Sequence, residues 1–524
     1  MYWWEKAATA VREKRTRRFG LITTNSIVQD YSRPVMERHI DARERPLKLL
    51  YAVTNHPWVE NADGAAVDVA MTVGGVRVDD RHARVGKVVG GRRDFRVEEA
   101  SVTRINASLK DIPDVFRARA LKANKNMCFQ GVVPAGDGFK HKADPLNNEG
   151  CSKPYMIGDD ITERLQTSQI IDFFGIGELS ARSSYPRSYA IVYDGVKPER
   201  DLNTRDSYRV NWWIFAEPRP KMRQSIKAIQ RYIATPYTAR HRIFVFLDSK
   251  IVPDAMIYVV SSDDALNLGV LSSFVHQTWC KYAGGTLQDR PRYNSNRTFF
   301  PFPFPTDVSE PLKDRIRAES EALDALRRSV LAENEDLTLT GLYNVLEALR
   351  AADAGGSSLT PKYREVHDRA LVTLLRKHHD AIDGLVAEAY GWARDHAAGR
   401  LTDAVILERL IKLNNERAAE EALGLVRYLR PDFQDPGYQT LVSATLDLGE
   451  TAVVAPENIV VWPATLTEQV GAVQQVLAAA VVPMAAQDIA RSFKGKRAAT
   501  VRPVLDALAG LGMARRLNDG RYAT

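Results

Sequence analysis

Between positions 205 and 242, Arg205, Arg209, Arg219, Lys221, Arg223, Lys227, Arg231, Arg240, His241 and Arg242 stand among Tyr208, Trp212, Trp213, Tyr232 and Tyr237. Arginine neutralises phosphates and can grip a guanine edge through two parallel hydrogen bonds, while aromatic rings pack a scaffold or stack on displaced bases. That combination is nucleic-acid chemistry. A second stretch, 290–298, carries Arg290, Arg292, Asn294, Asn296 and Arg297, the two amino-acid types best suited to guanine and adenine edges. The candidate contacts to double-stranded DNA are therefore Arg219, Lys221, Arg223, Arg231, Arg240, Arg242, Arg290, Arg292, Asn294, Asn296 and Arg297. Taken singly, each arginine suits a phosphate or a solvated surface better than base readout, and the two tryptophans suit a core. The loop 290–298 could equally tie this region back to a neighbouring sheet.

Other chemistries find less support. Cys128, Cys151 and Cys280 are odd in number, far apart and share no metal-ligand spacing with the ten histidines, which points to reduced, structural thiols rather than disulfides or zinc. IIDFFGIG (170–177) joins a strand, an acid and Gly-x-Gly, the shape of a loop over a nucleotide-like cofactor. A lone Gly-x-Gly is weak, and the βα unit expected after it gives way to ARSSYPRSYAIVYDG. No catalytic, cofactor-binding or metal-ligating residue is assigned.

The elements that must position the basic residues begin with an alternation of helix and strand. Residues 2–14 read as an amphipathic helix, FGLITTNSI (19–27) as a buried strand, and SRPVMERHIDAR as a helix opened by Ser32 with Pro34 in its first turn. LKLLYAVTNHPW (47–58) and AAVDVAMTVGG (65–75) read as further strands. This order predicts part of a parallel, Rossmann-like α/β sheet over 1–75, too few strands for a complete one, with the missing strands upstream or on another polypeptide. Residues 76–305 read as an irregular α+β domain with turn signals such as PAGDG (134–138), closed at a boundary by the proline-rich RPRYNSNRTFFPFPFP (290–305). From 306 to 430, apolar residues recur at three- and four-residue spacing between charges, which predicts a helical bundle or arm with solvated charged faces. A linker, 431–464, leads to 465–524. Three short helices and a hairpin through Asn-Asp-Gly there follow the winged-helix order, made basic by Arg491, Lys494, Lys496, Arg497, Arg502, Arg515, Arg516 and Arg521.

At 524 residues the chain is too long for one core, so a multidomain protein of mixed α/β and α+β class is expected. Its composition, 45% hydrophobic and 26% charged, is that of a folded chain rather than a disordered one. The net charge of +7 is only a mild basic bias, so the local clustering of cations carries the argument for DNA. With no apolar run of membrane-spanning length and no apolar signal core behind MYWWEKAATAVREKRTRR, a cytoplasmic location is expected.

Several segments, in order, resemble the C-terminal part of large class I S-adenosylmethionine-dependent DNA methyltransferases of the MmeI-like restriction-modification group. They are YWWEKA (2–7), GLITTNSI (20–27), HPWVENADGAAVDVAM (56–71), INASLKDIPD (105–114), FQGVVPAGDGF (129–139), RPKMRQSIKAIQRYIATPYTARHRIFVFL (219–247), LGVLSSFVHQTW (268–279), RYNSNRTFFPFPFP (292–305), AYGW (389–392) and LNNERAAEE (413–421). The resemblance covers nearly the whole chain. It implies a methyltransferase portion over 1–75, a target-recognition domain over 76–305, double-stranded DNA as partner, S-adenosylmethionine as cofactor and adenine N6 as the methylated atom. In that group an Asn-Pro-Pro-aromatic tetrapeptide precedes the TTNSI strand and grips the flipped adenine, whose amino group it accepts and whose ring it stacks on. No NPPF, NPPY or DPPY occurs in this sequence. The expectation is therefore a recognition half that is inactive alone and completed by a separate catalytic half. The alternatives are a non-catalytic DNA-binding specificity protein and, further off, an interaction protein using its helices and terminal domain.

Overall fold

The computed structural model describes all residues except 30, 59–66, 77–82, 91–93, 142–148, 288–289, 436–460, 479–483, 495, 511–512, 518–520 and 524. The chain divides into two compact units, Met1–Tyr438 and Gln439–Thr524. Together they form a mixed α and β architecture of several small sheets and many helices.

The first unit opens with helix α1 (Tyr2–Arg12), whose Trp4, Ala8 and Val11 recur at helical spacing and are buried. Strand β1 (Arg18–Thr24), helix α2 (Arg33–Ile40) and strands β2 (Lys48–Pro57), β3 (Asp68–Gly75), β4 (Ala83–Gly90) and β5 (Phe95–Val102) follow. The strands make a five-stranded sheet in the order β1-β3-β2-β4-β5. It is not the parallel sheet the sequence predicts: β2 and β4 run parallel, but β1–β3, β2–β3 and β4–β5 are antiparallel. The connections explain this. Parallel neighbours need a crossover of a dozen or more residues, and the short links from β2 to β3 and from β4 to β5 permit only hairpins. β1 alternates exposed and half-buried residues instead of being buried, because only one of its faces, that of Phe19 and Leu21, packs against the core. Trp4, Met36, Leu49 and Ala70 form a core under this sheet that reaches Leu109.

Next come β6 (Cys128–Gln130), β7 (Lys140–His141), β8 (Ser152–Met156), α3 (Gly158–Thr162), β9 (Ser168–Ile171), α4 (Glu178–Ser184), α5 (Pro186–Asp201), α6 (Asp206–Val210) and α7 (Pro220–Ile226). β10 (Arg231–Pro236), β11 (Val245–Asp248), β12 (Val252–Pro253), β13 (Ile257–Val260), α8 (Ala265–Ser272), α9 (Phe274–Ala283), β14 (Thr286–Leu287) and β15 (Arg290–Pro291) complete this region. Two four-stranded sheets result, β11-β10-β13-β6 and β12-β8-β9-β7. β10 and β13 are buried nearly throughout, as the apolar run of β13 and the Tyr-Ile-Ala centre of β10 require of strands covered on both faces.

Helices α10 (Glu310–Glu333), α11 (Leu339–Asp353), α12 (Pro361–Arg369), α13 (Val372–Ala389), α14 (Ala393–Ala397), α15 (Asp403–Ala422) and α16 (Pro431–Gln434) pack onto these sheets rather than standing apart as an arm. One apolar core runs from Val115 to Leu410. The proline-rich segment that looks like a boundary in sequence lies inside it, with Phe299, Phe302 and Phe304 buried. Prolines leave neighbouring carbonyls without ladder partners. Side chains satisfy them: the Asn124 amide faces the carbonyls of Phe299, Phe300 and Phe302 at 3.0, 3.0 and 2.7 Å, and Asn414 Nδ2 donates to Pro301 at 2.6 Å. α15 also reaches back through Glu421, whose buried carboxylate accepts the backbone N–H groups of Lys122 and Ala123 at 2.7 and 2.9 Å.

In the second unit, helices Leu466–Ala478, Ala486–Arg491 and Ala498–Gly510 surround a small core that includes Val473, Ile489, Phe493 and Leu505. Strands Arg515–Arg516 and Tyr522–Ala523 pair antiparallel after them. The expected Asn-Asp-Gly turn, 518–520, and most of the expected linker, 436–460, lie outside the described residues.

Candidate nucleic-acid interface

The two basic stretches are not one surface. Residues 237–242 leave the C-terminal end of β10 and meet residues 290–293 side by side. Thr238 and Arg292 form an antiparallel bridge, Tyr293 N–H donates to the Tyr237 carbonyl at 2.7 Å, and Ala239 N–H to that of Pro291 at 3.3 Å. Residues 219–227 lie elsewhere, around α7, against β6.

Where these loops join, Arg240 and Arg290 are exposed, and Arg240 makes a long ion pair to Glu347, 3.5 Å. Arg292 lies with its guanidinium 5.3 Å from the centre of the Tyr237 ring, and its buried Nε has no acceptor. A π-helical turn, Ser295–Phe299, follows; Asn294 caps it by accepting the Asn296 N–H at 3.0 Å, leaving the Asn296 side chain exposed. Arg297 is half-buried, 5.0 Å from the Phe116 ring. Arg242 is a structural tie rather than a DNA contact in this geometry: it donates to Thr235 Oγ1 at 3.1 Å, to Pro291 O at 3.0 Å and to Pro236 O, and burial lowers its pKa.

The α7 group is similarly committed. Arg219, in a left-handed conformation at φ 56°, pairs with Glu217 at 2.6 Å and donates to Gly131 O at 3.1 Å. Arg223 pairs with the buried Asp172 at 2.7 Å. Arg231 forms a two-pronged pair with Glu321 of α10, which raises its pKa, and stacks 3.6 Å from the Phe246 ring centre. Lys221 is the exposed α7 candidate and, among the described residues, makes no side-chain bond.

Beside the joined loops lies a cleft of about 380 Å³ between them and the helices, lined by Arg240, Arg292, Lys281 of α9, Arg350 of α11 and Asp383 of α13. Lys281, Arg350 and Asp383 were not singled out from sequence, where nothing but ordinary helical charge marks them. Burial pushes the Asp383 carboxyl up to about 7, although it accepts the Phe274 N–H at 2.8 Å. Burial also takes His276 down to about 3 and Cys280 up to about 12, so both are neutral and serve packing. The cleft is therefore a mainly cationic surface with two carboxyls, Asp403, which pairs with Lys281 at 2.8 Å, and Asp383, which is partly protonated near neutrality.

The Gly-x-Gly loop does not fit S-adenosylmethionine. Its acid, Asp172, is buried and shared by Lys153 at 3.0 Å and Arg223, and the helix after Gly177 is α4, seven residues long. Among the described residues no group of three His, Cys, Asp or Glu is placed to hold a metal, and no helix is long and apolar enough to cross a membrane.

Comparison with known proteins bears on this region directly. Residues 218–306 match the MmeI target recognition domain family. The fold matches the type IIL restriction-modification enzyme MmeI, solved in complex with DNA, with a TM-score of 0.61 and 19% identity over 80% of this chain and 52% of that one. DNA methyltransferase A of Bacillus subtilis (strain 168) is 29% identical over 162 residues, 31% of this chain and 14% of that protein. The chain thus spans about half the length of the first and a small part of the second. Both loops of the joined pair fall inside the matched segment, so the chain resembles MmeI-like restriction-modification enzymes, with its basic interface in the part similar to their target recognition domain.

Proposed function

We propose that this chain is the DNA-recognition portion of an MmeI-like, site-specific adenine-N6 DNA methyltransferase of a restriction-modification or related defence system. The observation that carries the reading is the junction of the 237–242 and 290–297 loops, which presents Arg240, Arg290 and Asn296 to solvent within the segment similar to a target recognition domain. Arginine and asparagine there suit phosphate and base-edge contacts to double-stranded DNA. Of the expected recognition domain, 76–305, the part from β6 onward acts as the DNA reader, β4 and β5 belonging to the N-terminal sheet, and 306–430 acts as its helical buttress.

Catalysis and S-adenosylmethionine belong to a methyltransferase half that supplies the missing base-gripping tetrapeptide. Among the described residues β1 pairs on one edge only, and its other edge offers that half a strand to pair with, so residues 1–75, with β4 and β5 of the same sheet, complete its sheet. The chain alone transfers no methyl group. Residues 465–524 form a winged helix whose Lys494, Lys496, Arg497 and Arg502, all exposed, add affinity for the backbone. The complex works in the cytoplasm. Filter binding of duplex DNA across a salt series tests the reading: affinity should fall steeply with salt. Absence of duplex binding at low salt would remove it. The second reading, a non-catalytic specificity protein, rests on the same exposed Arg240, Arg290 and Asn296, which suit DNA contact without any catalytic group. Robust adenine methylation on co-expression with a catalytic half would exclude it.

A further inference from the structure

A different cleft, of about 410 Å³, opens at the other end of β10, where α7 runs into that strand and β11 turns into β12. β10 pairs Arg231 with Asp248 at this end, and the Arg240–Arg292 loops leave its far end beyond Pro236. At about 3.3 Å per residue the strand separates the two places by roughly 15–20 Å.

Four cations line the cleft: Lys153, Arg223, Lys227 and Lys250. Lys153 and Arg223 share the one carboxylate of Asp172, at 3.0 and 2.7 Å, so a single negative charge faces two positive ones. Lys227 and Lys250 are exposed and, among the described residues, make no side-chain bond. The nearest acid on that turn, Asp248, accepts the backbone N–H of Lys250 at 2.8 Å. The Nη2 of Arg223 is buried without an acceptor among the described residues. The cleft thus holds an excess of positive charge and unused donors. Its floor is apolar, made by Met222, Ile226 and Ile251, with the hydroxyls of Ser152 and Ser249 at the edge.

Compact ammonium groups at the mouth of an apolar slot match a ligand with a phosphate at one end and a flat, weakly polar body at the other, and the volume lies in the range of small-molecule sites. We propose that this cleft binds a phosphate-bearing nucleotide, with its phosphate between Lys153, Lys227 and Lys250 and its base on the apolar floor. The phosphate comes from a free nucleotide or from a nucleotide within a DNA strand; the second source rests on the DNA-binding reading above.

The test uses the full chain, the Lys227→Ala/Lys250→Ala double variant and, as a control at the joined loops, Arg240→Ala/Arg290→Ala. Circular dichroism should be unchanged in both, since all four side chains are exposed. Binding of deoxyadenosine monophosphate is read by saturation-transfer NMR and equilibrium dialysis, and binding of a duplex by filter retention. The expected result is at least a tenfold loss of nucleotide affinity in the lysine variant alone, with saturation transferred to base protons. Loss confined to the duplex arm would instead assign the phosphate to a DNA strand. Parental affinity for both probes in the lysine variant, or no binding of either probe by the parent, would overturn the proposal. Nucleotide binding without any duplex binding would keep the cleft and remove the DNA-recognition reading.

Discussion

Thr238 and Arg292 pair backbone to backbone across an isolated antiparallel bridge, and that bridge fixes which arginines face outward. It holds the Arg292 side chain over Tyr237 and draws the Pro291 carbonyl onto Arg242, while Arg240 and Arg290 point away from the pair's internal bonds. Arg240→Ala and Arg290→Ala should therefore weaken duplex binding and change the preferred site more than they change stability, which should stay within about 0.5 kcal/mol of the parent. Site selection from a random duplex pool, beside urea unfolding, checks both halves. An unaltered site preference would place base readout elsewhere.

Arg223 should behave in the opposite way. Its partner Asp172 is 1% exposed, and removing one member of a buried pair leaves an uncompensated charge. Lys153 remains beside that carboxylate and softens the loss. Arg223→Ala should cost on the order of 3 kcal/mol in chemical denaturation, with little change in the salt dependence of DNA binding. A flattened salt slope at unchanged stability would return Arg223 to the DNA surface.

These contrasts mark where the sequence stops being legible. Element order, the helical half and the irregular β region follow from local periodicity, and the structure contains them. Strand direction does not follow, because an apolar run looks the same in either sense; the β2–β3 and β4–β5 hairpins are fixed by connection length and pairing. The proline-rich segment misleads for a related reason. Its turns are local, but its burial depends on Asn124 and Asn414, amides from distant parts of the chain. The arginines are the sharpest case. Whether one is free is decided by acids far along the chain, Asp172 for Arg223 and Glu321 for Arg231, and no local pattern reveals those pairings. The Lys227–Lys250 cleft was equally hidden, since its lysines come from separate turns.

Glu421 offers a test of how firmly α15 holds the recognition region. It is 6% exposed and accepts two backbone N–H groups, so truncation leaves two buried donors unsatisfied. Glu421→Ala should destabilise by about 2–3 kcal/mol. Hydrogen exchange should speed up at Lys122 and Ala123 before it does at β10. Glu421→Gln keeps one acceptor oxygen and should recover part of the loss. Equal exchange in parent and alanine variant would show that α15 is held by its apolar contacts alone.

Asp383 makes stability depend on pH in a direction opposite to that of most carboxylates. Its pKa is raised by burial from the model-peptide value of 3.8 to about 7, so between those values the folded chain holds a proton that the unfolded chain has released. Protons favour the fold in that window. Its contribution is full below about pH 4, is lost as pH rises towards 7, and is constant above that. Asp383→Asn removes the charge yet can still accept the Phe274 N–H, so it should be more stable than the parent at pH 8 by about 1–3 kcal/mol and equal to it near pH 4. Because Asp383 lines the cleft with Arg240, Arg292 and Arg350, the same substitution should also raise duplex affinity at pH 8 by removing a negative charge from a cationic surface. Urea unfolding and filter binding at pH 5, 6, 7 and 8 measure both effects. A parent and variant whose stabilities run parallel across this range would show that Asp383 is ionised throughout, and the cleft would then carry two full negative charges, on Asp383 and Asp403, among its cations.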